Sequence, residues 1–100
     1  MKDPKAETPL FVPLKTRPYR DFEKGIKSTE FRPEGRGWNS KTCRIGRAVV
    51  LSHGYGKGER MTGKIVSYSS QPDATQIPDW AEIYGQKAGP VACIGIHIHR

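Results

Sequence analysis

Apolar and polar positions alternate most regularly at the end of the chain. In VACIGIHIHR, Ala92, Ile94, Ile96 and Ile98 fall on one side, and Cys93, Gly95, His97 and His99 on the other. A period of two predicts a half-buried strand with the isoleucines inward. PLFVPLKT, residues 9–16, has the same period through Leu10, Val12 and Leu14, and its two prolines make it an edge or irregular strand. IKSTEFR reads as a strand with Thr29 and Phe31 on one face and Ser28, Glu30 and Arg32 on the other. A strand around Arg47–His53 and another through RMTGKIVSYSS flank the glycine-rich GYGKGE, which predicts a hairpin.

Two stretches change period. Tyr19, Phe22 and Ile26 fall at helical spacing, Thr16 or Arg17 can cap the start, and Gly25 suits the residue after the last turn. A short helix over residues 17–24 follows. Between residues 70 and 90 the pattern weakens, but Trp80, Ile83 and Tyr84 repeat at helical spacing, with Pro78 before and Gly85 after. That predicts a second short helix over 78–84. Several short strands without regular βαβ alternation point to a mainly β (α+β) fold, a small closed or partly closed barrel of five to six strands with one or two helices. Such a barrel leaves a mouth where a ligand can bind.

The chain has 100 residues, enough for one domain, expected over residues 10–100 behind a flexible arm at residues 1–9. No stretch approaches the run of ~20 apolar residues that a membrane span needs, and MKDPKAETP lacks the apolar core of a secretory signal. A cytoplasmic protein with reduced thiols, and no membrane partner, is the expectation. Cys43 and Cys93 are too few for a disulfide framework or a four-cysteine zinc site.

Charge sharpens the picture. The net charge is +7, and residues 12–64 alone hold thirteen Lys/Arg against five Asp/Glu. The excess lies in one contiguous half, which suits a polyanionic partner or equally a basic surface without one.

Three motifs bear on chemistry. GERMTGK, residues 58–64, approaches a phosphate-binding loop, but Ile65 replaces the magnesium-binding hydroxyl and the segment leads into a strand, so nucleotide hydrolysis is excluded. Cys93, His97 and His99 share a face. Adjacent same-face residues lie about 6.6 Å apart, which places Cys93 about 20 Å from His99, beyond one ion. A frayed, solvent-facing C-terminal edge is the better reading, and neither a metal nor another cofactor is expected. Aromatic and basic residues interleave through Tyr19, Arg20, Phe31, Arg32, Arg36, Trp38, Arg44, Tyr55, Lys57 and Arg60. Tyr19 and Phe31 suit the core. Trp38 and Tyr55, in loops, are candidate platforms for a base, although folding back to close the barrel end is the better reading of Trp38.

FEKGIKSTEFRP carries the densest cluster of ionisable groups, with Lys27 in the turn and Glu30 and Arg32 on one strand face. If that face is a cleft, Arg32 holds Glu30 ionised and Lys27 adds a second cation. Lysines that are partly desolvated beside another cation become bases or nucleophiles. On an open surface the same residues are an ion pair worth ~0–1 kcal/mol.

LKTRPYRDFEKGIKSTEFRP, GWNSKTCRIG, VVLSHGYG and the final strand resemble the ASCH domain, a family of the PUA-like superfold. The resemblance covers about residues 10–99. Its most specific part is G-x-K-x-x-E-x-R, met by Gly25, Lys27, Glu30 and Arg32, and Trp38, Arg44 and Gly54–Tyr55 look like a small phage or bacterial branch. The resemblance implies a β-barrel with a cleft lined by that motif, and RNA or a nucleoside-like ligand as partner, with Lys27, Glu30, Arg32, Trp38, Arg44 and Tyr55 as binding residues. It also implies an alternative: a hydrolase, either a ribonuclease or an amidohydrolase of a modified nucleoside such as N4-acetylcytidine. Lys27 and Glu30 would then be catalytic. The amidohydrolase branch resembles a pattern of Lys, a Thr three residues later and a distant carboxylate. Here position 30 is Glu, Thr29 faces the other way, and Glu82 is the candidate distant acid. A protein-interaction module is a third possibility, though no interaction helix stands out.

Overall fold

The isoleucine alternation near the C-terminus builds the strand around which the other elements are arranged. The computed structural model describes residues 8–77, 80–85 and 89–100. In chain order its elements are β1 (Leu10–Leu14), α1 (Thr16–Glu23), β2 (Thr29–Pro33), β3 (Ala48–His53), β4 (Arg60–Gln71), a 3₁₀ turn (Ala74–Gln76), α2 (Trp80–Tyr84) and β5 (Val91–Ile98). The five strands make one curled sheet, a half-barrel, in the order β1-β3-β4-β5-β2. β1 runs parallel to β3, and the other neighbours are antiparallel. The protein is therefore mainly β, with β3 and β4 as the expected hairpin. Of the residues assigned to the N-terminal arm, 1–7 lie outside the described residues.

The inner face carries the principal core. Val12 and Leu14 of β1, Val49 and Leu51 of β3, Ile65 of β4 and the even-numbered residues of β5 pack with Tyr19 and Phe22 of α1. β5 lies between β4 and β2 and is paired on both sides, so it is a central strand rather than the frayed edge expected. Its outward histidines remain exposed, with their rings 6.4 Å apart. Among the described residues no group of three His, Cys, Asp or Glu is placed to hold a metal. None of the described helices is long and apolar enough to cross a membrane.

A second, smaller cluster covers the outer face near β2: Ala74, Ile77, Trp80 and Val91, with Phe31, Tyr84 and Cys93 against them. Phe31 thus packs here rather than in the principal core. This covering makes a layer of a stretch whose pattern reads weakly in sequence.

Several boundaries differ from expectation. α1 begins at Thr16, and Lys15 is its N-cap with no side-chain hydrogen bond. Thr16 is the first residue inside the helix, and its hydroxyl pairs with His53 Nε2 at 2.7 Å. Residues 26–28 form the turn, and β2 begins at Thr29. α2 is described from Trp80, and Pro78 lies outside the described residues.

Candidate functional site

The sheet does not close. Its edge strands β1 and β2 face each other without a ladder between them among the described residues. One side chain spans the seam: Arg32 Nη2 donates to the Pro13 carbonyl. A cleft of about 540 Å³ occupies this opening. Its walls come from the β1–α1 joint, from β2, from the turn after β3 and from the segment around α2.

Lys27 reaches the cleft because of how α1 ends. Gly25 has φ +79°, the left-handed conformation that costs glycine least. Its N–H bonds to the Phe22 carbonyl at 3.1 Å, and the Ile26 N–H bonds to Asp21 at 2.9 Å. These two bonds are the Schellman pattern, which satisfies the last carbonyls and turns the chain sharply. Lys27 follows directly, its N–H also on the Asp21 carbonyl at 3.1 Å. Arg100 donates to the Phe22 and Glu23 carbonyls at 2.9 Å each, fixing the same helix end from outside.

Glu30 and Arg32 arrive by strand register. β2 pairs with β5 so that Glu30 lies opposite Ile94 and Arg32 opposite Ala92. Both partners belong to the core, so the two charged residues occupy the inner, core-facing side of the sheet. Glu30 is only 6 % exposed. Arg32 Nε donates to Glu30 Oε2 at 2.6 Å, and Lys27 Nζ stands 3.6 Å from Oε1. Each carboxylate oxygen therefore has a cation, and two cations share one anion. The ammonium of Lys27 also lies 4.9 Å from the Phe31 ring centroid and 5.6 Å from that of Phe22, and the guanidinium of Arg32 lies 4.6 Å from the Trp38 ring. Cations over ring faces are attracted by the ring quadrupole. Burying charges costs several kcal/mol per ion, recovered only when hydrogen bonds and partners are complete.

The other expected site residues divide. Tyr55 is 82 % exposed and lines the cleft mouth. Trp38 is partly buried against the core and supports Arg32 from behind, so it does not line the cleft. Its loop is ordered by Asn39, whose Oδ1 accepts from the Lys41 and Thr42 N–H groups while its Nδ2 donates to the Gly35 and Arg36 carbonyls. Arg44 is exposed, donates to the Ile45 carbonyl at 3.2 Å and lies outside the cleft lining. Thr29 is opposite Gly95, on the other face from Glu30, as the alternation implies. The side chain of Glu82 lies outside the described ones.

Two aromatic residues belong to the cleft that were expected only to mark a helix. Trp80 and Tyr84 pack with ring centroids 4.4 Å apart at a tilt of 37°, and Tyr84 Oη donates to the Phe31 carbonyl at 3.3 Å. Burial raises the Tyr84 hydroxyl above its ordinary value, with Arg32 opposing the rise. Their spacing, a Trp and a Tyr four apart on one helix face, was the available signal. Lys15 and Arg17 line the rim and are exposed, and their side chains carry no ion pair or hydrogen bond among the described residues. Asp21 is the acid on that rim.

The cleft thus combines an aromatic wall, a clamped carboxylate with cations to spare, and free basic side chains at the entrance. No protein-family model and no curated protein matches the chain.

Proposed function

We propose that this protein is an ASCH-like, PUA-like RNA-binding module that takes RNA or a nucleoside-like ligand in the seam cleft. The observation that carries the reading is the convergence of Lys27, Glu30 and Arg32 on the core side of β2, where the same face elsewhere bears isoleucine and valine. A concave cleft in which a few polar groups converge among aromatic and apolar walls is the default binding-site candidate on physical grounds. Tyr84 inside the cleft, backed by the buried Trp80, and Tyr55 at its mouth offer ring faces to bases. Lys15 and Arg17 offer unspent charge to phosphates, and the inner triad offers donors to a base or sugar edge. The resemblance of Gly25, Lys27, Glu30 and Arg32 to the family motif agrees with this reading.

Titration with single-stranded RNA at several salt concentrations tests it. Four phosphate contacts give a slope of log affinity against log salt of roughly −3. Lys27→Ala weakens binding in this reading. Affinity independent of salt, or unchanged in Lys27→Ala, sinks it.

A hydrolase is the second reading, favoured by the 3.6 Å approach of Lys27 Nζ to Glu30 in a half-dry cleft. Lys27 would act as base or nucleophile and Glu30 as its acid–base partner. Against this, both oxygens of Glu30 are already engaged. Turnover of RNA or N4-acetylcytidine that disappears in Lys27→Ala would establish the hydrolase. Absence of turnover leaves the binding module.

A further inference from the structure

Just outside the cleft lies an aromatic and cationic cluster that the inner triad does not use. Phe11, on edge strand β1, is 37 % exposed, and Tyr55, in the turn after β3, is 82 % exposed. Their ring centroids are 6.2 Å apart at an interplanar angle of 50°. The Arg60 guanidinium lies 5.3 Å from the Phe11 centroid and donates to the Gly56 carbonyl at 3.0 Å, which holds it beside the ring. Tyr55 joins the two places, since it lines the cleft mouth and contacts Phe11.

The charge of this cluster is not neutralised by its neighbour. Glu59, next in sequence to Arg60, is held by Arg20 through bonds of 2.6 and 3.0 Å. Lys57 adds a further exposed cation in the same turn. Exposed rings set beside unneutralised arginine and lysine match a single-stranded nucleic acid, in which bases present π faces and phosphates present charge. An apolar peptide would match the rings but would leave the cations without an anion.

Resting on the reading of the cleft as a nucleotide site, we propose that Tyr55 and Phe11 form a second stacking subsite. The protein then takes a single strand of at least two nucleotides. One base enters the cleft, its neighbour stacks on Tyr55 and Phe11, and Arg60 meets the phosphate of that outer nucleotide.

The experiment titrates the four ribonucleoside monophosphates and the matching dinucleotides into the whole chain at low salt. A stacked second base makes the dinucleotide about 5- to 150-fold tighter than the mononucleotide. Phe11→Ser and Tyr55→Ala each reduce that ratio towards one, while Tyr55→Trp keeps it. Both positions are exposed, and circular dichroism checks that the variants fold. Equal affinity for mono- and dinucleotides overturns the subsite and leaves the cleft reading standing. A ratio that survives both substitutions, or equal weakening of both ligands by Phe11→Ser, also overturns it. Failure of both ligands to bind at all overturns the cleft reading, and the subsite with it. Capture of an apolar peptide that nucleotides do not displace overturns the choice of occupant.

Discussion

The inner face of the half-barrel is built in two ways. Across β3, β4 and the middle of β5 it is apolar: Val49, Leu51, Ile65, Ile94 and Ile96 are all at most 4 % exposed. One strand further, on β2, the same face carries Glu30 and Arg32. Glu30 and Ile94 are register partners, so the change from hydrocarbon to charge happens between adjacent strands. The apolar half is stabilised by area removed from water, about 25 cal/mol per Å². The charged half gains no such term and depends on complete pairing. Its position at the open seam is the reason to read it as a binding surface rather than as structure.

Removing one member of the pair is the largest expected effect. Arg32→Met leaves Glu30 without its 2.6 Å partner and frees the Pro13 carbonyl across the seam. Breaking a buried pair costs about 3–5 kcal/mol. Chemical denaturation measures it. The informative contrast is Glu30→Leu with Arg32→Met together, which extends the apolar half across the seam. That double variant is expected to stay close to the wild type in stability, because well-packed apolar replacements of buried pairs are often neutral or stabilising and Lys27, which loses its carboxylate, can turn its ammonium to solvent. It should also lose RNA binding. A double variant as unstable as Arg32→Met alone would mean that the charges hold the fold, and the functional reading would lose its main support.

The apolar half breaks through packing instead. Gly63 of β4 approaches β5 so closely that a Cβ would stand 2.3 Å from the His97 carbonyl oxygen. That neighbour is backbone and cannot swing away. Gly63→Ala is therefore expected to lower stability by about 1–3 kcal/mol, the usual cost of overpacking, and to leave the cleft residues in place. Ile94→Val, on the same face, removes one methylene and should cost about 1 kcal/mol. Thermal unfolding measures both, and a Gly63→Ala variant as stable as the wild type would contradict the close approach of β4 and β5 at this glycine.

How much of this was legible in the sequence follows the same division. The strand periods, the hairpin and the turn at Gly25 are local, and local pattern revealed them. The opposed faces of Thr29 and Glu30 were legible too, since alternation fixes them. What alternation cannot supply is the partner of a strand. That β2 lies beside β5, with Glu30 opposite Ile94, is a long-range pairing, and only it places the ion pair on the core side. The aromatic wall was hidden for a related reason: Trp80 and Tyr84 marked a helix, but nothing local says which cleft a helix borders. Trp38 was ambiguous because a loop tryptophan can face solvent or fold back. The loop built by Asn39 turns it inward, beneath Arg32. Arg44 gave no such signal and stays outside.

The smallest expected effect is an acid one, at carboxylates away from the Glu30–Arg32 pair. Glu34 follows β2 and ties it to β4, accepting from Tyr68 Oη at 2.6 Å and from Ser70 Oγ at 2.7 Å. The Tyr68 bond first, then that of Ser70, holds its carboxyl below the ordinary value of 4.5. Glu59 is lowered as well, chiefly by Arg20. A carboxylate depressed in the folded state stabilises the fold above its unfolded value, and that contribution fades as pH falls through the folded value. Stability should therefore be level above the ordinary carboxylate range and decline below it. Tyr68 itself is pushed upward, by burial and then by its bond to Glu34, so it stays protonated and donating throughout this window. Tyr68→Phe removes the donor and should flatten the acid decline in denaturation midpoints between about pH 5 and 3, while Arg20→Gln should flatten the part owed to Glu59. A decline unchanged in both variants would locate the acid sensitivity outside Glu34 and Glu59.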